Sequence, residues 1–339
     1  MRTARLLLRP LNGGDVPAIT AGVGNYEVAK WLSVVPYPYH AADARAFLAS
    51  EHAAPGVAWA ICDGRGLQGV VSHNGALGYW LARGAWGKGY LTEALDAVVD
   101  ACFAPRRVQV LHASHFEGND RSARVLAKQG FRYVGSREVQ ARAMSQAVTS
   151  RLMELDRATW TARRRYALAT ERLTLRELRD GDLKALMRIA GDPRVARGLS
   201  DVKVPWGEEA ARLWLDRARF RGRPGFRAAI CRRRRLIGTV GLFEAPEGQG
   251  ALCELFVEPE SQGRGFATEA LEAFLADVLP RFAVTQVWAA PFADIPSAGA
   301  VLARAGFVPV GRGSSVSAAR QGVQETAVWH LQAPAPARP

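Results

Sequence analysis

The sequence predicts an α+β chain built as two tandem copies of one domain, each a mixed, mostly antiparallel sheet flanked by helices. Three observations point there. The stretch WGKGYLTEAL at residues 86–95 recurs as QGRGFATEAL at residues 262–271. Each copy follows a strand-like apolar run, LGYWL at 77–81 and ELFV at 254–257, so both glycine loops sit between a strand and a helix. The repeat also extends far beyond the loops: TARLLLRPL from Thr3 matches TERLTLREL from Thr170, a displacement of 167 (170 − 3) that also pairs Asp15 with Asp182, Tyr39 with Trp206 and Phe47 with Trp214. The displacement is 169 (231 − 62) at Cys62 and Cys231 and 176 (263 − 87) at Gly87 and Gly263, and it then holds to Leu155 and Leu331. Insertions confined to loops are the mark of a duplicated domain.

A chain of 339 residues suits two domains of about 150 residues each. The boundaries read as 1–160 and 161–332, with a linker over about 156–169. Residues 333–339, APAPARP, read as a frayed tail too rich in proline to pack.

Within each copy, LLLR and LTLR alternate as a half-buried strand and lead to a helix initiated at Asp15 or Asp182. A second helix spans 41–50, matched by 208–217, with Ala44, Phe47 and Leu48 on one face. Residues 59–62 and 68–71 flank the turn at 63–66 as a hairpin. After the glycine loop and its helix come a strand over 108–113, a helix over 120–129 stopped by Gly130, and a strand from Phe131.

Hydrophobic residues make up 48% of the chain and charged residues 23%, which excludes disordered and fibrous classes. The net charge of +13 favours polyanions, among them a phosphorylated cofactor. The basic runs 163–165 and 232–235 read as a solvated linker and a solvated hairpin turn. No nucleic-acid partner is expected, because no aromatic-basic recognition motif accompanies the charge. The four cysteines lack C-x-x-C spacing and read as buried thiols, with no metal site. The absence of an apolar run long enough to cross a membrane makes a cytoplasmic protein the expectation.

A glycine-rich turn opening a helix suits phosphate, since side-chain-free residues let backbone N–H groups close on the anion at the positive end of the helix. With T-x-R-L-x-L-R, VPYPYHAADARAFL, GYWL before WGKGYLTEAL, and NDRSARVLAKQGF in that order, the chain resembles the GNAT superfamily of acyl-CoA N-acyltransferases, and within it the RimJ/RimL-like branch. The resemblance covers nearly the whole chain, twice. It implies acetyl-CoA as co-substrate and a primary amine, a protein N-terminus or a small amine, as acceptor. The loops Trp86, Gly87, Lys88, Gly89, Tyr90, Leu91 and Gln262, Gly263, Arg264, Gly265, Phe266, Ala267 would hold the pyrophosphate. The strands Tyr79, Trp80, Leu81 and Leu255, Phe256, Val257 would lie along the pantetheine arm.

The copies depart from the family pattern in different places. Gln262, Gly265 and Ala267 match Q/R-x-x-G-x-G/A fully, whereas Trp86, Gly89 and Leu91 keep only the central glycine, with a Trp common in this branch. In the next segment the first copy keeps Asn119 and Ser122 as N-x-x-S, and the second has Ile295 and Ala298. By resemblance, Ser122 would give the departing thiolate its proton. Asn119 would cap the helix and touch the cofactor. A tyrosine used by many members falls at Leu126 and Leu302, so no tyrosine is expected in that role. A backbone N–H near Leu81 would meet the oxyanion. His112, His115 and Glu254 are candidate bases, none of them assigned; the two histidines have opposite strand parity and point to opposite faces. Chemistry in the first domain is the leading reading. The alternative is an acyl-CoA-binding scaffold in which one or both domains lack turnover.

Overall fold

In the computed structural model, which describes residues 1–245 and 250–333, the chain divides into two compact units, Met1–Ala162 and Arg163–Pro339. Of the tail expected at 333–339, residues 334–339 lie outside the described ones; Ala333 is buried and donates its N–H to the Thr285 carbonyl at 2.8 Å.

Unit 1 runs β1 (Leu7–Arg9), α1 (Val16–Val23), α2 (Tyr26–Ala29), α3 (Ala41–Ala49), β2 (Ala58–Asp63), β3 (Gly66–Asn74), β4 (Ala76–Leu81), α4 (Tyr90–Phe103), β5 (Val110–Phe116), α5 (Asp120–Gln129), β6 (Arg132–Ala141), β7 (Gln146–Asp156) and α6 (Arg157–Ala162). Its seven strands lie in the order β1-β2-β3-β4-β5-β7-β6. Unit 2 opens with β8 (Ala167–Ala169) and β9 (Thr174–Glu177), followed by α7 (Leu183–Ala190), α8 (Pro193–Ala196), α9 (Glu208–Arg217), β10 (Phe226–Arg232), β11 (Arg235–Glu244), β12 (Ala251–Val257), α10 (Phe266–Phe282), β13 (Gln286–Ala289), α11 (Pro296–Arg304), β14 (Val308–Val316) and β15 (Val323–Gln332). Its eight strands lie in the order β14-β15-β13-β12-β11-β10-β9-β8. Each unit is thus an α+β sheet flanked by helices, and among the described residues only β4 with β5 and β12 with β13 pair in parallel.

One sheet face in each unit packs on the helix that follows the glycine loop. In unit 1, Leu95, Val98, Val99 and Phe103 of α4 bury against Val71, Leu77, Leu111 and Met153. Each such side chain contributes roughly 1.5–3 kcal/mol. In unit 2, Leu271, Phe274 and Val278 of α10 do the same against Val240, Cys253 and Val287. The other face is covered by the early helices. Trp80 crosses α1 at Gly22, where an added Cβ would lie 2.5 Å from the indole. In unit 2, Trp206, Trp214 and Leu215 pack near Phe256.

Several local expectations need correction. Asp15 and Asp182 make no side-chain cap to the helices they precede. They are buried partners of Arg9 and Arg176, at 2.6 and 2.7 Å, and each also accepts a backbone N–H three residues upstream. A bidentate guanidinium six residues upstream, on the preceding strand, competes better for the carboxylate than the next helical turn does. The stretch 156–169 is regular structure: α6 and β8 occupy most of it, and Tyr166 is 1% exposed between Phe220, Phe226 and Phe274. The run 232–235 is a two-residue hairpin with Arg233 and Arg234 at φ 46° and 68°. Its turn residues are exposed, as expected of a solvated hairpin, while Arg232 stacks on Phe266 and the exposed Arg235 pairs with the buried Glu258. Cys62, Cys231 and Cys253 are buried, and Cys102 is half-buried.

Candidate active site

Each loop is built by glycines in the left-handed region, Gly87 and Gly89 at φ 76° and 75° and Gly263 and Gly265 at 72° and 77°. An L side chain there is strained by about 1–2 kcal/mol. Gly89 and Gly265 are the N-cap residues of α4 and α10. A clamp from the start of each unit holds the loop. The Thr3 hydroxyl donates to Glu93 at 2.6 Å, Arg5 donates its backbone N–H and Nε to the same carboxylate, and its second nitrogen donates to the Lys88 carbonyl at 2.8 Å. Thr170, Arg172, Glu269 and the Arg264 carbonyl repeat every contact. Burial pushes the Glu269 carboxyl up, but hydrogen bonds from Thr170 and Arg172 leave it below its ordinary range. The separate T-x-R and T-E-A-L motifs are therefore one constellation. Sequence reading missed it, although the recurrence of both motifs in both copies was the available signal.

The first motif position has a structural task. The Trp86 indole N–H donates to the Leu81 carbonyl at 2.8 Å, and the Gln262 amide donates to the Val257 carbonyl at 2.9 Å. Trp and Gln are equivalent here because each reaches the last residue of the preceding strand with one N–H. Leu91 and Ala267 both pack, half-buried, against the cores below. Tyr90 donates to Asp63 at 3.1 Å, while its counterpart Phe266 lies under Arg172. Lys88, Gly263 and Arg264 are exposed on the loops.

The preceding strands part from their parallel neighbours, β4 from β5 beyond the rung Leu77↔Ala113 and β12 from β13 beyond Leu252↔Trp288. Ala82 donates to the Gln68 carbonyl, and antiparallel alternation then turns the amides of Trp80 and Gly78 toward β3 and those of Tyr79 and Leu81 into the opening gap. Glu258 and Ile237 set the same parity for Leu255 and Val257 in unit 2.

At this gap the units differ. The Tyr79 and Ser122 hydroxyls lie 2.7 Å apart, and Ser122 is 8% exposed in the first turn of α5. Burial pushes the Tyr79 phenol up to about 12, with Ser122 drawing it slightly the other way. A tyrosine therefore does stand beside the serine, contrary to the expectation drawn from Leu126. It comes from β4 rather than from the helix. Asn119 accepts the Ser122 N–H at 3.2 Å as the helix cap. With the displacement of 176 (263 − 87), the counterparts of Tyr79 and Ser122 are Leu255 and Ala298. Joint loss of both hydroxyls was the signal that could have revealed the pair.

The opposite sheet face differs too. In unit 1 one row across three strands is Ala58, Ser72 and Gly78, a floor of small side chains with Gly78 exposed. In unit 2 that row is Arg227, Gly241 and Glu254. Arg227 crosses Gly241, where an added Cβ would meet its Cγ at 2.6 Å, and pairs with Glu254 beneath the Trp214, Phe243 and Phe256 rings. Glu254 is thus tied to a buried cation and is corrected as a free base. His115 has both nitrogens engaged, by the Phe116 carbonyl and the Tyr133 hydroxyl at 2.9 Å each. His112 is exposed and pairs through Nδ1 with Glu154 at 3.1 Å.

The loops fit a phosphorylated donor. A Cβ built on Gly87 or Gly263 meets nothing within 4 Å, so open space lies beside a left-handed turn at a helix N-terminus. Among the described residues no cluster of His, Cys, Asp and Glu could hold a metal, and no helix is long and apolar enough to cross a membrane.

No curated protein matches the chain. Among solved structures, an acetyltransferase of the GNAT family from Bacillus anthracis is 15% identical over 49% of this chain and 98% of that one, with a TM-score of 0.43. Spermidine N-acetyltransferase from Vibrio cholerae, in complex with CoA and spermine, is 20% identical over 48% and 96%, at 0.40. An acetyl transferase from Salmonella typhimurium that modifies the N-terminal serine of ribosomal protein L7/L12 is 14% identical over 49% and 97%, at 0.41. The acetyltransferase (GNAT) domain family matches residues 5–132 and again 172–308. The chain belongs to that family, carries its domain twice, and has acetyl-CoA as its co-substrate.

Proposed function

We propose that the chain is an N-acetyltransferase of the RimJ/RimL-like type, moving the acetyl group of acetyl-CoA to a primary amine, with the chemistry in unit 1. The observation that carries this reading is the Tyr79–Ser122 hydroxyl pair at the strand gap, replaced by Leu255 and Ala298 in unit 2. Gly87, Gly89 and the N-terminus of α4 would hold the pyrophosphate, and Tyr79, Trp80 and Leu81 would flank the pantetheine. The donor supplies a thioester; the chain supplies position and protons. The amides of Tyr79 and Leu81, turned into the gap, are placed to receive negative charge developing on the carbonyl oxygen, where preorganised donors are most effective. Ser122 protonates the leaving sulfur, and the Tyr79 phenol, protonated at neutral pH as any phenol is and held further from ionisation by its burial, donates in turn to Ser122.

A second reading applies to unit 2 alone. Its loop and clamp are complete, yet its hydroxyl pair is gone and the row beside the gap is filled by Arg227 and Glu254. It therefore holds acetyl-CoA without turnover. Release of free thiol from acetyl-CoA in the presence of a panel of polyamines and short peptides tests both readings. Ser122→Ala should abolish most of the activity and Ala298→Ser should add none. Full activity in Ser122→Ala with loss in Gly265→Glu would move the chemistry to unit 2.

A further inference from the structure

We infer that His112, oriented by Glu154, is the base that takes the proton from the acceptor amine in unit 1. The inference rests on the reading that unit 1 is the catalytic half. His112 precedes Ala113, the residue that forms the last rung between β4 and β5. Leu77 and Ala113 both face the core under α4, so His112 faces the other side of the sheet. That is also the side of Gly78, whose lack of a side chain leaves the floor beside the gap bare. The Tyr79–Ser122 pair stands on the α4 side. Proton donor and proton acceptor thus flank the same rung from opposite faces, as required when the thiolate leaves on one side and the amine arrives on the other.

The pairing fixes the chemistry of the ring. Glu154 lies directly across from His112 on β7 and, as a carboxylate, can only accept. Its Oε1 lies 3.1 Å from His112 Nδ1, an ion-pair contact that favours the imidazole proton on that nitrogen and leaves the Nε2 lone pair free. Among the described residues Nε2 has no hydrogen-bond partner, and the His112 side chain is 54% exposed. His115, the other candidate, has no free nitrogen. Unit 2 again serves as the contrast: the counterparts of His112 and Glu154 are Trp288 and His330, stacked with ring centroids 4.3 Å apart. The unit that lacks the hydroxyl pair also lacks this pair.

The proton count closes. An acceptor ammonium gives one proton to His112 Nε2, which passes it to solvent. The freed nitrogen lone pair forms the C–N bond, the C–S bond breaks, and sulfur takes the Ser122 proton. The second proton shed by nitrogen restores the Tyr79–Ser122 pair. The products are the N-acetyl amine, free thiol and one released proton. Here His112 is the catalytic residue and Glu154 a positioning residue.

Propylamine at high concentration is the test acceptor, with thiol release as the readout. His112→Ala should lower kcat about a hundredfold, as loss of a positioned base typically does, with the KM for acetyl-CoA unchanged. Added imidazole should restore a large part of the rate, because the vacated site is open to solvent. Glu154→Gln should lower kcat about tenfold and leave the KM for acetyl-CoA alone. If His112→Ala keeps full activity while Ser122→Ala loses it, the base assignment is overturned and the catalytic unit stands. Loss of activity in His112→Ala without rescue by imidazole also overturns it. If wild type does not turn over propylamine, or Ser122→Ala and His112→Ala are both fully active, the transferase reading of unit 1 fails and this assignment with it.

Discussion

Removing one or both hydroxyls of the Tyr79–Ser122 pair should separate folding from chemistry. Ser122→Ala deletes the partner of a desolvated phenol, and a buried donor left unpaired costs about 1–3 kcal/mol. In a domain of this size each kcal/mol lowers the melting temperature by roughly 2–4 °C. Tyr79→Phe should cost less, about 1 kcal/mol, because a helical serine can turn its hydroxyl to a backbone carbonyl. The double variant Tyr79→Phe/Ser122→Ala leaves no orphan, and replacing both partners by apolar groups of similar shape is close to neutral. Its stability should return toward wild type, with a coupling energy of about 1–2 kcal/mol. Turnover should behave differently: all three variants fall about a hundredfold in kcat, and the double is no worse than Ser122→Ala alone. Thermal melts and thiol-release kinetics on the four proteins give the full cycle. A double variant that regains turnover along with stability would show that the pair is a packing device and would refute its role in proton transfer.

Other expectations follow from features of both units. Trp86→Phe removes the N–H that ties the loop to the Leu81 carbonyl and should weaken acetyl-CoA binding by about 1 kcal/mol, near fivefold. Trp86→Gln should bind normally, since Gln262 does the same task in unit 2; calorimetry in a Gly265→Glu background isolates unit 1. Gly89→Glu and Gly265→Glu should each remove one acetyl-CoA site by calorimetry, and unchanged stoichiometry in both would sink the loop assignment. The Arg9 guanidinium, followed by the Asn12 N–H, holds the Asp15 carboxyl below its ordinary value, although burial alone would raise it. Such a carboxylate contributes stability that is full above an unfolded value of about 3.9 and is lost as pH falls through the lower folded value. Asp15→Asn should therefore cost about 3 kcal/mol at neutral pH and flatten the acid limb of stability below about pH 4, measured by urea unfolding.

What could be read from the sequence was whatever repeats or is spaced locally. The helix at Asp120–Gln129 with its Gly130 stop appears at the expected residues, because an N-cap, an amphipathic run and a left-handed glycine are all local signals. Contacts between elements were not legible. Tyr79 meets Ser122 only because β4 and α5 converge across the strand gap, and no spacing rule connects positions 43 residues apart. Glu254 looked available as a base because its partner Arg227 lies two strands away, across a glycine that lets the guanidinium pass. Asp15 looked like a helix cap because the competing Arg9 sits on the preceding strand, at a distance set by the turn rather than by composition.

The contacts from Thr3 and Arg5 to Glu93, and from Thr170 and Arg172 to Glu269, govern where this chain can be divided. A fragment meant to carry the second half cannot start at Glu171, because Glu269 would lose the Thr170 hydroxyl. Starting after Tyr166 would also empty the space that its ring fills between Phe220, Phe226 and Phe274, a deletion on the scale of 3–5 kcal/mol. The tolerable cut lies just after Ala162. At the other end, the Met1 amine donates to the Leu8 carbonyl at 2.6 Å, two residues from Thr3. A fragment meant to carry the first half must likewise keep the residues around Thr3 and Arg5, since these tie Glu93 to the first glycine loop.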